Sequence, residues 1–144
     1  MPATKEREPR KHVLIVEPDG AARRVIARVL RALGFRVTSV ARPGAGAAAA
    51  AMPEGSSRAA VDLLVLNYVP PGGEPAADSL LARARAAGVP YVFTTDRPEL
   101  LERLDVPPAL YLRKPVSVKN LVRMALDYLV VPEQFGFWPA MQVQ

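Results

Sequence analysis

Short apolar runs alternate with segments of helical periodicity along most of this chain. Residues 12–16 form a continuous apolar run, typical of a strand that is buried on both faces of a sheet. Hydrophobic residues then recur at helical spacing between Asp19, a common N-cap residue, and Gly34, which favours the end of a helix. The pattern predicts a strand followed by a helix.

Four further units of the same kind follow, which predicts an α/β fold. Alternation of this type gives a parallel sheet with helices on both faces, joined by right-handed crossovers. Residues 1–11 are predicted to be a charged, mobile tail, 12–130 the folded domain and 131–144 an aromatic C-terminal tail. The further strands are predicted at 35–40, 62–66, 90–95 and 109–112, and the further helices at 45–52, 76–87, 98–104 and 117–130.

Composition narrows the class of protein. The chain has 144 residues, 50% of them hydrophobic and 23% charged, which suits one globular domain and excludes wholesale disorder. The chain has no cysteine, which excludes a disulfide scaffold, and its one histidine disfavours a histidine-based metal site or triad. Without a membrane-length apolar run or a secretory signal, we expect a cytoplasmic protein with no membrane partner.

Polar residues directly follow several of the predicted strands, at the end of the sheet where parallel sheets of this kind bind ligands. Ligands of such sheets bind beyond the carboxyl ends of the strands. Those ends carry Glu17-Pro18-Asp19, Asn67, Thr95 and Lys114. No glycine-rich loop follows the first strand, which argues against a dinucleotide or P-loop site. Asp19 is expected to cap the first helix, with a role as substitute acid left open, and Asp96 to cap the short helix 98–104.

The order and placement of these segments resemble a response-regulator receiver domain of two-component signalling. The resemblance covers about residues 12–130 and implies a flavodoxin-like (βα)5 doubly wound parallel sheet with strand order 2-1-3-4-5. It also implies a cis bond between Lys114 and Pro115. The segments that carry it are VLIVEPD (13–19), ALGF (32–35), DLLVLNYVPPG (62–72), PYVFTT (90–95) and YLRKP (111–115).

The resemblance also implies a set of site positions. In the receiver family, an acid pair binds Mg²⁺ beside a phosphoacceptor aspartate, and a hydroxyl and a lysine contact the phosphoryl group. The acid pair falls on Glu17 and Pro18, the phosphoacceptor position on Asn67, the hydroxyl on Thr95 and the lysine on Lys114. An aromatic switch residue falls on Tyr111.

Two departures from the family pattern dominate the functional interpretation. Asn67 presents an amide where a carboxylate should attack phosphorus, and Pro18 supplies no side-chain oxygen to a metal. We therefore predict an atypical receiver, a pseudo-receiver without the phosphoacceptor aspartate, that has no bound metal, no cofactor and no enzymatic activity. Lys114 is expected to hydrogen-bond the Asn67 amide or to pair with Glu17.

Two surface features bear on partners. The chain carries a formal net charge of +5, and Arg24, Arg28 and Arg31 share one face of the first predicted helix. This basic stripe is either a solvated face or a docking site for an acidic partner, and no motif indicates specific nucleic-acid binding. The aromatic residues of the C-terminal tail either dock a partner or a second copy, or pack against the domain itself. They are Phe135, Phe137 and Trp138.

The sequence thus predicts a stand-alone atypical receiver that acts as a phosphorylation-independent protein-interaction module. Its expected partner is a histidine kinase or a downstream signalling protein, and a homodimer is possible. Two alternatives stay open: a phosphorelay receiver with unusual site chemistry, and a small-molecule or anion sensor that uses the vacant pocket at the strand ends.

Overall fold

Five parallel strands form one sheet, in the order β2-β1-β3-β4-β5. The computed structural model describes residues 10–53, 60–68 and 74–130. The strands are β1 (His12–Val16), β2 (Arg36–Val40), β3 (Leu63–Asn67), β4 (Tyr91–Thr95) and β5 (Tyr111–Arg113). The helices are α1 (Gly20–Ala32), α2 (Gly46–Ala51), α3 (Pro75–Ala87), α4 (Pro98–Arg103) and α5 (Val118–Ala125). The predicted fold class and strand order are confirmed.

The core has two layers because the central strands bury both of their faces. Side chains alternate across a strand, so Leu14 and Val16 of β1 pack with α2, α3 and α4. Val13 and Ile15 point the other way and pack with α1 and α5. The continuous apolar runs in the sequence are therefore explained by helices on both sides of the sheet.

Helix α1 begins and ends as its sequence predicts. The Oδ1 atom of Asp19 accepts hydrogen bonds from the backbone N–H groups of Ala21 (3.0 Å) and Ala22 (3.3 Å), which confirms the N-cap. Gly34 follows the helix with a φ of +97°, a conformation that glycine adopts without strain. The first helix is thus fixed at both ends, directly behind the end of β1.

The C-terminal third departs most from the predicted boundaries. The predicted strand 109–112 is wrong at its start, because Pro108–Leu110 form a 3₁₀ turn and β5 begins only at Tyr111. Proline has no N–H to donate to a strand, and the N–H of Leu110 instead bonds the carbonyl of Pro107 at 2.9 Å. Helix α5 ends at Ala125 and continues as a π-helical turn, Leu126–Val130.

Several predicted features lie outside the described residues. They are most of the N-terminal tail and the whole C-terminal tail, including Phe135, Phe137 and Trp138. Within the described part of the chain, no helix combines the length and the apolar character needed to cross a membrane.

Candidate functional site

A buried carboxylate lies at the carboxyl edge of the sheet. Glu17 directly follows β1, and its side chain is 0% exposed. Its Oε1 accepts a hydrogen bond from the Thr94 hydroxyl at 2.6 Å, and its Oε2 accepts one from the N–H of Asp19 at 2.9 Å and one from Lys114 Nζ at 2.8 Å. Both oxygens are therefore engaged, which is what allows a charged group to remain buried.

Lys114 joins this carboxylate to the end of β3. Its Nζ donates to Glu17 Oε2 and also to Asn67 Oδ1 at 3.1 Å. The two expectations for this lysine, an ion pair with Glu17 and a hydrogen bond to the Asn67 amide, are thus both confirmed. The cis bond between Lys114 and Pro115 is confirmed as well. Three of the predicted site residues therefore meet around one ammonium group.

The loop after β1 is held by a second cation, which the sequence analysis did not single out. Arg23, on the first turn of α1, donates from Nη1 to the backbone carbonyl of Glu17 at 2.8 Å and to that of Pro18 at 3.4 Å. Pro18 itself is exposed and has no side-chain oxygen. The position beside Glu17 thus contributes only a backbone carbonyl that already faces a guanidinium.

The hydroxyl that contacts Glu17 belongs to Thr94 and not to Thr95. Neighbouring residues of a strand point to opposite faces, and Thr94 is the one whose side chain lies fully buried against the carboxylate. Thr95 is 4% exposed, and its Oγ1 accepts a hydrogen bond from the N–H of Arg97 at 2.9 Å. Sequence reasoning missed Thr94, because alternation along β4 places the two threonines on opposite faces without indicating which of them faces Glu17.

These side chains do not fit the Mg²⁺ ion of receiver domains. Such an ion needs several oxygen ligands that are free to turn toward it. Both carboxylate oxygens of Glu17 are hydrogen-bonded, and Asn67 Oδ1 accepts from an ammonium group that would repel the ion. The Oδ1 of Asp19 is occupied by the helix cap. Among the described residues, no group of three or more His, Cys, Asp or Glu could hold a metal.

The predicted aromatic switch residue lies at the far side of the sheet from Glu17, on the edge strand β5. Tyr111 is half-buried, and its hydroxyl donates to Glu102 Oε1 at 3.2 Å. Desolvation of the phenol, together with the hydrogen bond to Glu102, raises the pKa of Tyr111. The side chain is thus tied to α4, and its role as a switch stays a prediction.

The basic stripe of α1 is solvent-exposed, as its spacing predicts. Arg24, Arg28 and Arg31 are all exposed, and Arg31 donates from Nη2 to the carbonyl of Val37 at 3.3 Å. This arrangement agrees both with a solvated face and with a docking surface. The use of the stripe for docking stays a prediction.

Receiver domains are among the solved structures that align with this chain. The receiver domain of the hybrid histidine kinase CckA aligns with a TM-score of 0.58 and 27% identity over 82% of this chain and 98% of that one. A CheY-like receiver domain protein from Methanospirillum hungatei JF-1 aligns with a TM-score of 0.62 and 21% identity, covering 88% and 99%. The response regulator PhyR from Brucella abortus aligns with a TM-score of 0.66 and 20% identity. The alignment covers 90% of this chain but only 52% of that protein.

No protein-family model matches the sequence, and no curated protein matches it significantly. The fold is that of the response-regulator receiver domains of two-component systems.

Proposed function

We propose that this chain is an atypical receiver domain that acts as a phosphorylation-independent protein-interaction module in cytoplasmic two-component signalling. One observation carries the proposal. The only acid at the implied site positions, Glu17, is fully buried and accepts hydrogen bonds from three donors, while the predicted phosphoacceptor position holds an amide that bonds the same lysine.

The chemistry of phosphoryl transfer argues in the same direction. Acceptance of a phosphoryl group needs an anionic oxygen as nucleophile, and an amide oxygen is a weak one. Asn67 Oδ1 also accepts a hydrogen bond from Lys114, which lowers the electron density available for attack. Because Lys114 and Arg23 both lie near Glu17, the local field does not favour a divalent cation.

The two alternatives receive less support from the geometry. A phosphorelay role that uses Asp19 would require this carboxylate to leave the N-cap of α1. An anion sensor would require a positive cavity beside Asn67. The described residues there enclose about 150 Å³, and the charged residues among them are Arg42, Glu74 and Asp78, so that acids outnumber bases. The interaction module therefore remains the function that the site supports best.

Labelling with acetyl phosphate tests the proposal. After incubation with acetyl phosphate and Mg²⁺, intact-mass spectrometry should detect no phosphoryl group on the unaltered chain. Asn67→Asp restores only the nucleophile and should label poorly. The double variant Asn67→Asp/Pro18→Asp adds a metal ligand and should label clearly better, because nucleophile and metal act as one unit.

The control for this experiment is Asn120→Asp, which makes the same charge change at an exposed position of α5. It should behave as the unaltered chain does. A stoichiometric, hydroxylamine-labile phosphoryl group on the unaltered chain would overturn the proposal. Equal labelling of the single and double variants would show that the missing metal ligand at Pro18 does not limit phosphorylation.

The basic stripe of α1 is the surface through which we expect the module to dock an acidic protein partner. Replacement of Arg24, Arg28 and Arg31 by glutamate should greatly weaken partner binding and leave the circular dichroism spectrum unchanged, since exposed charges contribute little to stability. A control with the same charge change elsewhere is Arg42, Arg103 and Lys119 to glutamate. Equal binding by both triple variants would reduce the stripe to a solvated face.

A further inference from the structure

An amine lies between a carboxylate and a carboxamide at the carboxyl edge of the sheet. Lys114 Nζ is 2.8 Å from Glu17 Oε2 and 3.1 Å from Asn67 Oδ1, and only 15% of the lysine side chain is exposed. An amine can attack the carbonyl carbon of a carboxamide and expel ammonia, provided that a base takes up its protons. The cluster thus holds the nucleophile, the electrophile and the base of an amide-forming reaction.

The carboxylate is held in the position that a base needs. The Thr94 hydroxyl donates to Glu17 Oε1 at 2.6 Å and the N–H of Asp19 donates to Oε2 at 2.9 Å, which keeps the carboxylate against the amine. The Glu17 side chain is 0% exposed, and a buried site disfavours charged groups. Transfer of one proton from Nζ to Oε2 converts the ion pair into a neutral amine, which is the nucleophile, and a neutral carboxylic acid.

The amide carbon lies within reach of the amine. Nζ is 3.1 Å from Asn67 Oδ1, and Cγ is one covalent bond further on. The torsion that orients an asparagine carboxamide has broad minima, so rotation about it presents the face of the carbonyl group to Nζ without movement of the backbone. Reacting atoms that are held about 3–3.5 Å apart gain most of the rate advantage of an intramolecular reaction.

We propose that Lys114 and Asn67 react with one another in the folded chain and form an isopeptide bond, with Glu17 as the proton carrier. Nζ gives one proton to Glu17 and attacks Cγ, so that a C–N bond forms and the carbonyl electron pair moves to Oδ1. Glu17 passes this proton to Nδ2, the Cγ–Nδ2 bond breaks, and ammonia leaves as the carbonyl group forms again. Nζ then gives a second proton to Glu17, which ends as a neutral carboxylic acid.

The new bond joins the end of β3 to the residue after β5, across β4. Asn67 is half-buried and Lys114 is partly exposed, which gives ammonia a path to solvent and makes the reaction irreversible. The ion pair described above is the state of the chain before the reaction. The inference goes beyond the proposed function, since the bond forms within one chain and needs no partner.

Intact-mass spectrometry tests the proposal directly. The native chain, incubated at neutral pH, should lose the mass of one ammonia molecule. A tryptic digest of the product should contain residues 59–83 joined to residues 114–119, and the chain incubated in denaturant should not yield this joined peptide. Because a cross-link restricts the unfolded chain, the linked protein should unfold at a urea concentration higher by about 1 M or more.

Three variants separate the roles of the reacting groups. Lys114→Arg keeps the positive charge beside Glu17 and removes the amine, and Asn67→Ala removes the carboxamide, so neither should lose ammonia. Glu17→Gln removes the base and should slow the loss by about 100-fold or more. The matched controls are Lys119→Arg and Asn120→Ala, at exposed positions of α5, which should react as the unaltered chain does. Circular dichroism of each variant separates loss of reaction from loss of fold.

Three results would overturn the proposal. The first is a folded chain that keeps its full mass throughout the incubation. The second is a loss of ammonia that persists in Lys114→Arg, which would indicate a succinimide at an asparagine. The third is a Glu17→Gln variant that reacts as fast as the unaltered chain. Labelling with acetyl phosphate tests the proposed function separately, so that either proposal can fail without the other.

Discussion

Buried polar groups lie at both edges of the sheet, and the two edges are held differently. At the amino edge, the His12 ring lies 2.7 Å from the Ala60 carbonyl through Nδ1 and 2.7 Å from the Thr38 hydroxyl through Nε2. The backbone N–H of His12 donates to Asp62 Oδ2 at 2.8 Å. At the carboxyl edge, Glu17 depends on Lys114 for its only ion pair among the described residues.

This difference predicts which edge of the sheet tolerates substitution better. The amino edge shares its hydrogen bonds among the His12 ring and backbone N–H, the Thr38 hydroxyl, the Ala60 carbonyl and the exposed Asp62 carboxylate, so the loss of one bond leaves no buried charge unpaired and a small deficit. The carboxyl edge holds a charge that is 0% exposed, and removal of Lys114, the cation that pairs with this carboxylate, leaves the charge without its ion pair. We therefore expect the two edges to respond to substitution by different amounts.

The largest effect is expected for Lys114→Met, which keeps the length of the side chain and removes its charge. The free energy of unfolding should fall by about 3–5 kcal/mol, because Glu17 remains buried without a cation. Glu17→Gln should cost less, about 1–3 kcal/mol, since the Lys114 side chain is 15% exposed and can turn toward water. Urea unfolding at neutral pH measures both values.

Lys119→Met is the control for this pair, because Lys119 is exposed on α5. Its effect should stay within about 0.5 kcal/mol. If Glu17→Gln were as destabilising as Lys114→Met, the buried charge would not be the dominant cost at this edge.

A smaller effect is expected from matched threonine substitutions at the two edges. Thr94→Val removes a hydrogen bond to a carboxylate and should cost about 1.5–3 kcal/mol, whereas Thr38→Val removes one to a ring nitrogen and should cost about 0.5–1.5 kcal/mol. Valine has the same branched shape and suits a strand equally well. Urea unfolding of both variants measures the difference, and equal losses would contradict the contrast between the edges.

A small effect at neutral pH is also expected for Tyr128→Phe, near the amino edge. It removes the bond to the Ala109 carbonyl and should cost about 1 kcal/mol. Burial, with the negative charge of Asp127 as a second cause, raises the pKa of Tyr128 to about 12 from an ordinary 10.0. In this pH range the folded chain binds more protons than the unfolded chain, so stability falls as pH rises from 10 to about 12.

Tyr128→Phe also serves as the control for the pH dependence. Because the variant has no phenol at this position, it should not show this part of the loss of stability at alkaline pH. Chemical unfolding of both proteins across the alkaline range isolates the contribution of one phenol. Parallel pH profiles would show that Tyr128 ionises alike in the folded and unfolded states.

The fold was predictable because a single periodicity dominates each element. Apolar runs such as 12–16 are typical of a strand covered on both faces, and Asp19 and Gly34 mark the ends of α1 through local backbone chemistry. The start of β5 was not predictable from apolar pattern alone. Pro108 removes a donor there, and the chain forms a 3₁₀ turn in its place.

The site was predictable as a group and not in its details. Parallel strands bring Glu17, Asn67 and Lys114 to one edge whatever their side chains do. Which hydroxyl reaches Glu17 depends on the face that each residue of β4 presents. The expected cap at Asp96 is wrong, because the N-cap of α4 is Arg97, which has no side-chain cap hydrogen bond. Local turns of this kind follow from the hydrogen bonds available in the fold rather than from residue type.

The ammonium group shared by Glu17 and Asn67 also has a consequence for the opening motions of the sheet. It links the ends of β1 and β3 to Lys114, the residue after β5. Backbone bonds continue this link to the other two strands: the N–H of Lys114 bonds the Thr95 carbonyl, and the N–H of Glu17 bonds the Val40 carbonyl. The ends of β1 and β5 cannot open separately from one another without separating a buried ion pair. The amide protons there should consequently exchange with solvent together, in a single cooperative opening, rather than one strand at a time.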